Sequence, residues 1–327
     1  MENYIEFPNL GLKFPINPGI EITENYSIKW YGIIICFAFI LCVLLALRSC
    51  ERYGLSKDNL LDYILITVPC AIIGARVYYV IFSWDSYREN WTDIFKIWEG
   101  GLAIYGGVIA VVITVLIVSK IKKQSFIQIL DFALPYIILG QAIGRWGNFV
   151  NQEAYGSSTT LPWGMTGNLI ALDFGSSLVH PTFLYESLWC FAAFAAMMFL
   201  RRRLHQKGQM TCLYMIFYGA ERALVEGLRT DSLMLGPIRV SQWLSAILCA
   251  AGIVLFICLT RRHKAALDAE AVTEDNSISR LARTLEAQSR QSGSDSAEEA
   301  EGVETGDRKA AHEEQSDLRN TEEQDER

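Results

Sequence analysis

Seven stretches of this chain are apolar over the length that a helix needs to cross a lipid bilayer, and few folds remain open to such a sequence. A hydrocarbon core about 30 Å thick takes about 20 residues of helix, because no water is there to bond free backbone N–H and C=O groups. The stretches run approximately over 30–47, 60–82, 101–119, 127–143, 181–200, 210–228 and 238–260. They predict an all-α polytopic membrane protein with seven transmembrane helices. The N-terminus shows no basic segment followed by a short apolar run and a small-residue cleavage site, so the first span is expected to stay.

Basic residues orient the spans, since loops rich in Lys and Arg stay on the cytoplasmic side. Arg48, Arg52 and Lys57 follow the first span; Lys120, Lys122 and Lys123 follow the third; Arg201, Arg202, Arg203 and Lys207 follow the fifth; Arg261, Arg262 and Lys264 follow the last. This alternation predicts an N-terminus outside and a cytoplasmic C-terminus. It puts an extracytoplasmic segment, 144–180, between the fourth and fifth helices. Turn signals at Gly156, Ser157, Pro162, Gly164 and Gly167 predict an ordered segment there, and long ordered connections tend to be functional. No internal repeat of fixed period is visible, which removes one pointer toward the repeat-built transporters.

Charge divides the chain in two. Its 327 residues carry a net −7, but 18 of the 36 acidic and 7 of the 29 basic residues lie from Ala265 onward, a net −11 against +4 upstream. That acidic stretch is nearly empty of aromatics and cannot bury enough apolar surface to offset the entropy of ordering its backbone. The expected organisation is a seven-helix membrane domain over 1–264 and a disordered cytoplasmic tail over 265–327. The eight cysteines are scattered singly without a C-x-x-C pair, which points to neither a zinc site nor a disulfide framework.

Ionisable residues inside apolar spans cost on the order of 2.5–3.5 kcal/mol each on insertion scales unless they are paired or face a wet cavity. Such residues are functional candidates, in an enzyme or along a transport path alike. In the sixth span Tyr218, Arg222, Glu226 and Arg229 recur at i, i+4, i+8 and i+11, which stacks them on one face of a helix. Two arginines to one glutamate leave positive charge over, which suits an anion; a simple helix-to-helix ion pair is the alternative. At the outer end of the fourth span, Gly144-Arg145-Trp146-Gly147-Asn148 leads into Asn151 and Glu153. Glycines there permit close backbone approach or a break in the helix, and a planar guanidinium matches two phosphate oxygens at once. A third stretch, Gly100-Gly101 through Tyr105-Gly106-Gly107, opens the third span. Arg76, Asp131 and the run His180-Pro181 through Tyr185-Glu186 add polar groups that read as support.

In the same order along the chain, these motifs resemble those of the prolipoprotein diacylglyceryl transferases. The run from Gly144 to Gly156 is similar to the signature G-R-x-G-N-F-x-N-x-E-x-x-G at every fixed position, and Tyr218 to Arg229 is similar to Y-x-x-x-R-x-x-x-E-x-x-R. Trp30-Tyr31-Gly32, Gly74-Ala-Arg76, Asp131-Phe132 and His180 to Glu186 also agree, so the resemblance covers about residues 25–260. It implies a transferase of the bacterial cytoplasmic membrane with its active site toward the outer leaflet. The enzyme would move the sn-1,2-diacylglyceryl group from phosphatidylglycerol to the lipobox cysteine of a prolipoprotein and release glycerol phosphate. No cofactor, metal or nucleic acid is implied. By the same resemblance Arg145 and Arg222 bind the head-group phosphate, Asn148, Glu153 and Glu226 fix them, and Tyr31 and Tyr218 line the pocket. Asn151, Gly156 and Arg229 complete the substrate-binding set. Many members have histidine where this chain has Tyr105, whereas Gram-positive-like members have tyrosine. Tyr105 is therefore a catalytic candidate that leaves the thiol base unassigned.

Overall fold

The computed structural model describes residues 3–23, 26–204, 206–229, 234–235 and 238–325. The protein is mostly helical, with α1 (Trp30–Ser49), α2 (Lys57–Phe82), α3 (Ile104–Ile121), α4 (Phe126–Asn151), a short α5 (Ile170–Phe174), α6 (Thr182–Leu200), α7 (Gln209–Val225) and α8 (Val240–Asp325). Among the described residues, six segments are long and apolar enough to cross a membrane: Trp30–Tyr53, Lys57–Phe82, Ile104–Ile121, Phe126–Asn151, Thr182–Leu200 and Val240–Glu270. The remaining expected span, the sixth, corresponds to α7. It has 17 residues, about 26 Å of helix at 1.5 Å per residue, and it carries Glu221 and Arg222. Charge and length together set it apart from the other six.

Two boundaries differ from the hydropathy reading in ways that matter for the site. The helix α4 does not stop near residue 143 but runs to Asn151, where Gln152 adopts φ +51° and ends it. Arg145, Asn148 and Asn151 are thus helical residues rather than loop residues. The helix α3 starts only at Ile104. Before it, Arg76 of α2 donates to the carbonyls of Asp93 (2.6 Å), Ile94 (2.8 Å), Gly100 (2.8 Å) and Gly101 (2.9 Å), which fixes the connection. Gly74 and Gly106 bring α2 and α3 into backbone contact: a Cβ on Gly74 would sit 2.8 Å from the Gly106 carbonyl oxygen.

Ahead of α1 lie β1 (Tyr4–Phe7), β2 (Leu12–Pro15), β3 (Gly19–Thr23) and β4 (Tyr26–Lys29), strands of four or five residues. The antiparallel pair β1–β2 gains a third strand from β5 (Thr166–Gly167), in the order β2-β1-β5, and the β3–β4 hairpin leads into α1. Ile5 and Phe7 of β1 pack with Phe149, Met165, Ile170, Val179 and Phe183. The segment between α4 and α6 therefore has a small core of its own, which the turn signals anticipated as order. Past α7, β6 (Met234–Leu235) and β7 (Ile238–Arg239) form a short hairpin.

Two further apolar clusters help build the first compact unit, Met1–Arg261. One joins α1, α2, α3 and α4 through Ala46, Leu60, Val115, Phe132 and Tyr136; the other joins α4, α6 and α7 through Ile138, Ala142, Cys190, Met197 and Met210. Asp131 of α4 accepts from the Gly208 N–H (2.5 Å), the Thr211 N–H (2.8 Å) and the Thr211 hydroxyl (2.6 Å), so a carboxylate from one helix caps the start of another. The second unit, Arg262–Arg327, is helix as far as Asp325, and its described side chains are nearly all exposed. Where composition predicts an unstructured tail, the structure carries helix.

Candidate functional site

The centre of the site is a carboxylate. Glu186, one turn into α6, is fully buried, with 0% of its side chain exposed, and three arginines reach it. Arg145 of α4 touches its Oε2, Arg222 of α7 comes within 3.6 Å of the same oxygen, and Arg229 comes within 3.9 Å of Oε1. Arg222 also donates to Glu226, four residues on, at 2.8 Å. The sixth-span ladder is helical only in part: Tyr218 and Arg222 lie within α7, Glu226 is the residue at its C-terminal end, and Arg229 lies past it. A second buried carboxyl, Glu221, precedes Arg222 on α7.

Local packing fixes each of these side chains. Beside Glu186, the Ser187 hydroxyl donates to the Ala142 carbonyl at 2.8 Å and accepts from the Trp146 indole at 3.1 Å, so α4 and α6 are pinned next to the Arg145–Glu186 contact. Gly147 lets the ring of Tyr31 lie against α4: a Cβ there would stand 2.5 Å from Cδ2 of Tyr31. Arg229 sits beyond α7, where its backbone bridges to Gly156 and the Ser157 N–H donates to the Leu228 carbonyl at 2.7 Å. Gly156 in turn donates to the His180 carbonyl at 3.0 Å, and a Cβ on it would meet the Leu228 carbonyl at 3.1 Å. The signature glycine therefore works as a spacer that seats Arg229. Burial lowers the pKa of His180 below the usual histidine value and so disfavours its charged form.

A cavity of about 600 Å³ opens beside the cluster. Tyr31, Gly144, Arg145, Asn148 and Tyr218 line one end, and Ala46, Leu60, Phe132 and Tyr136 line the other. Gly144 and Phe132 are twelve residues apart on α4, a depth of roughly 18 Å along the helix. One leaflet of hydrocarbon is about half of a 30 Å core, so the cavity is close to one acyl chain deep. It offers a guanidinium and a phenol at the mouth and an apolar wall below. That polarity fits an anionic amphiphile.

The expected residues fall into three groups. Arg145, Arg222, Glu226 and Arg229 meet around Glu186, with Tyr31 and Tyr218 on the adjoining cavity wall. Asn148 and Asn151 both donate to the exposed Glu153, at 2.9 and 3.3 Å, and form a rim; the ionic partner of Arg145 among the described residues is Glu186 rather than Glu153. Tyr105 stands apart at the first turn of α3, 56% exposed, with its ring 6.5 Å from that of Tyr78. Its neighbour Ile104 reaches the cavity wall. Glu186 read as support in the sequence, and Glu221, one residue off the ladder, was not singled out. Both carried the signal that the arginines carried, a charge inside an apolar run.

The family profile described as prolipoprotein diacylglyceryl transferase matches residues 19–258. The chain is 48% identical over 232 residues to a protein of Finegoldia magna, covering 71% of this chain and 91% of that one. A Streptococcus mutans relative is 45% identical over 261 residues, 76% of this chain and 97% of its own length. One from Listeria monocytogenes is 43% identical over 250 residues, 74% and 90%. All three are named phosphatidylglycerol–prolipoprotein diacylglyceryl transferase. These are Gram-positive relatives, in line with the tyrosine at position 105.

Proposed function

Because the chain belongs to the prolipoprotein diacylglyceryl transferase family, and is a multi-pass membrane enzyme that transfers diacylglyceryl from phosphatidylglycerol to prolipoprotein, we propose that Arg145 and Arg222 clamp the phosphate of the lipid head group while a cysteine thiol displaces it. The observation that carries this reading is that Glu186 brings the two guanidiniums together beside an apolar cavity one leaflet deep, with Arg145 on its wall. The lipid phosphate lies at the mouth, with Tyr31 and Tyr218 against it, and an acyl chain runs toward Phe132 and Leu60. Arg229 and Glu226 complete the ionic set. Asn148, Asn151 and Glu153 form the rim past which the head group enters, and Gly156 holds the backbone that seats Arg229.

Both halves of the reaction develop negative charge. The sulfur of the lipobox cysteine forms a C–S bond to the glyceryl carbon, the C–O bond to phosphate breaks, and glycerol phosphate departs with the electron pair. A free thiol of pKa about 8.5 is ionised only to a few per cent at neutral pH, and nearby guanidiniums favour the thiolate as well as the leaving phosphate. Tyr105, exposed at the start of α3, hydrogen-bonds the incoming substrate rather than taking its proton.

The membrane arrangement belongs to the same proposal. The helix α7 is a seventh span, short and charged because α4 and α6 shield it, with the N-terminus outside and the site toward the outer leaflet of the bacterial cytoplasmic membrane. The basic clusters after the first, third, fifth and last spans support that orientation. Residues 265–327 form a solvated cytoplasmic tail.

One assay tests the clamp. Purified protein in phosphatidylglycerol vesicles is given a lipobox peptide, and peptide mass and liberated glycerol phosphate are read. Wild type adds one diacylglyceryl group per cysteine. Arg145→Ala and Arg222→Ala each lose about 10²–10³ in kcat, the size expected when one charge-stabilising donor is removed. Full activity in a folded Arg145→Ala protein overturns the clamp.

A further inference from the structure

We infer that Glu186 is a positioning residue for the transfer, the shared counter-ion that aims three guanidiniums at the substrate phosphate. The inference rests on the reading of Arg145 and Arg222 as the phosphate clamp, and adds to it what holds the clamp in place.

The arginines come from separate parts of the chain. Arg145 is on α4, Arg222 is on α7, and Arg229 lies past the end of α7; Glu186 on α6 is the group that all three share. The side chains of Arg145, Arg222 and Arg229 are 22%, 18% and 13% exposed, against 0% for Glu186. The guanidiniums therefore stand on the accessible side and the carboxylate behind them. Arginine forks bind two oxygens in a fixed plane. With Glu186 drawing the guanidiniums together from the buried side, Arg145 keeps a place on the cavity wall where an anion enters.

Neutral donors do not take over this duty. The adjacent Ser187 hydroxyl is turned to the Ala142 carbonyl, and the Trp146 indole is turned to Ser187. Glu226 bonds Arg222 at 2.8 Å, so Arg222 keeps a partner when Glu186 is neutralised, whereas Arg145 has Glu186 as its ionic partner among the described residues. Loss of the Glu186 charge thus acts chiefly through Arg145. It also leaves the pocket more positive by one charge, which strengthens attraction for an anionic lipid while loosening the geometry of transfer. Binding and turnover then move in opposite directions, an outcome that general loss of structure does not produce.

The test uses the full-length enzyme in phosphatidylglycerol vesicles with the lipobox peptide, and thermal melting establishes that each variant is folded. Glu186→Gln is expected to lower kcat about a hundredfold with a KM for phosphatidylglycerol that is unchanged or lower. Glu186→Asp, which restores the charge on a shorter arm, is expected to recover about tenfold of that loss. The inference is overturned by a Glu186→Gln kcat within about twofold of wild type, by a loss that lies wholly in a raised KM, or by an Asp variant no better than Gln. If neither single variant folds, Glu186→Gln combined with Arg229→Gln removes one charge of each sign and is read against Arg229→Gln alone. A folded double variant with kcat at least about tenfold below that of Arg229→Gln supports the inference; equal turnover, or failure to fold, counts against it. An active Arg145→Ala protein sinks the clamp itself. An inactive Arg145→Ala beside an unimpaired Glu186→Gln sinks only the role given to Glu186.

Discussion

Tyr105 opens α3 as an exposed phenol, and its chemistry narrows what it can do. A tyrosine with an ordinary pKa of about 10 is a poor base while neutral, but it donates a hydrogen bond well. Tyr105→Phe is therefore expected to lower kcat by about two- to tenfold, the worth of one hydrogen bond, with phosphatidylglycerol binding retained. Turnover measured from pH 6 to pH 9 checks this, and an unchanged profile with normal lipid binding removes the role. The residues of the clamp were legible for a physical reason: a charge inside an apolar run is costly and stands out. Glu186 and Glu221 bear the same mark, yet the i, i+4 ladder at Tyr218, Arg222 and Glu226 drew attention to one helix face. Spacing along a helix says which residues share a face. It does not say what the neighbouring helix sets opposite that face, and Glu186 comes from that neighbour.

The helix α7 shows how an element weak in one respect is held by others. Its 17 residues carry Glu221 and Arg222 among apolar side chains, so hydropathy alone gives it little reason to stay in a membrane. Its start is fixed by Asp131 from α4, which accepts three hydrogen bonds there. Asp131→Ala leaves the Gly208 and Thr211 N–H groups without that acceptor, at a cost of about 1–3 kcal/mol. The expected result is a melting temperature in detergent lower by several degrees, roughly 2–4 °C per kcal/mol for a chain of this size, with turnover at low temperature largely kept. A melting temperature equal to wild type would show that α7 is held without the cap. The helix α4 carries the complementary lesson. Its glycines at 144 and 147 allow a break, but the helix runs on to Asn151 because Gly147 packs on the Tyr31 ring and Trp146 is tied to Ser187. Tertiary contacts decided a matter that local sequence left open.

At the scale of the whole molecule charge alone predicts a division near residue 264, whereas nothing in the sequence announced the N-terminal strands, four or five residues long and stabilised by distant partners such as Thr166 and Phe149. The acidic stretch differs from both. It is helix to Asp325, but the described side chains from 262 to 285 are almost all exposed, including Leu267, Val272, Ile278, Leu281 and Leu285. A helix gains most of its stability from packing an apolar face, and one without such packing lies close to balance with coil in water. With a net −11 over 265–327, self-repulsion shifts that balance further toward coil. Deleting 265–327 is therefore expected to leave kcat and KM unchanged in vesicles. The difference between the far-UV circular dichroism spectra of the full-length and truncated proteins should be that of a coil. A helical difference spectrum of about sixty residues would show a standing helix and end the proposal of a solvated tail. A fall in turnover on truncation would instead give the tail a part in the reaction.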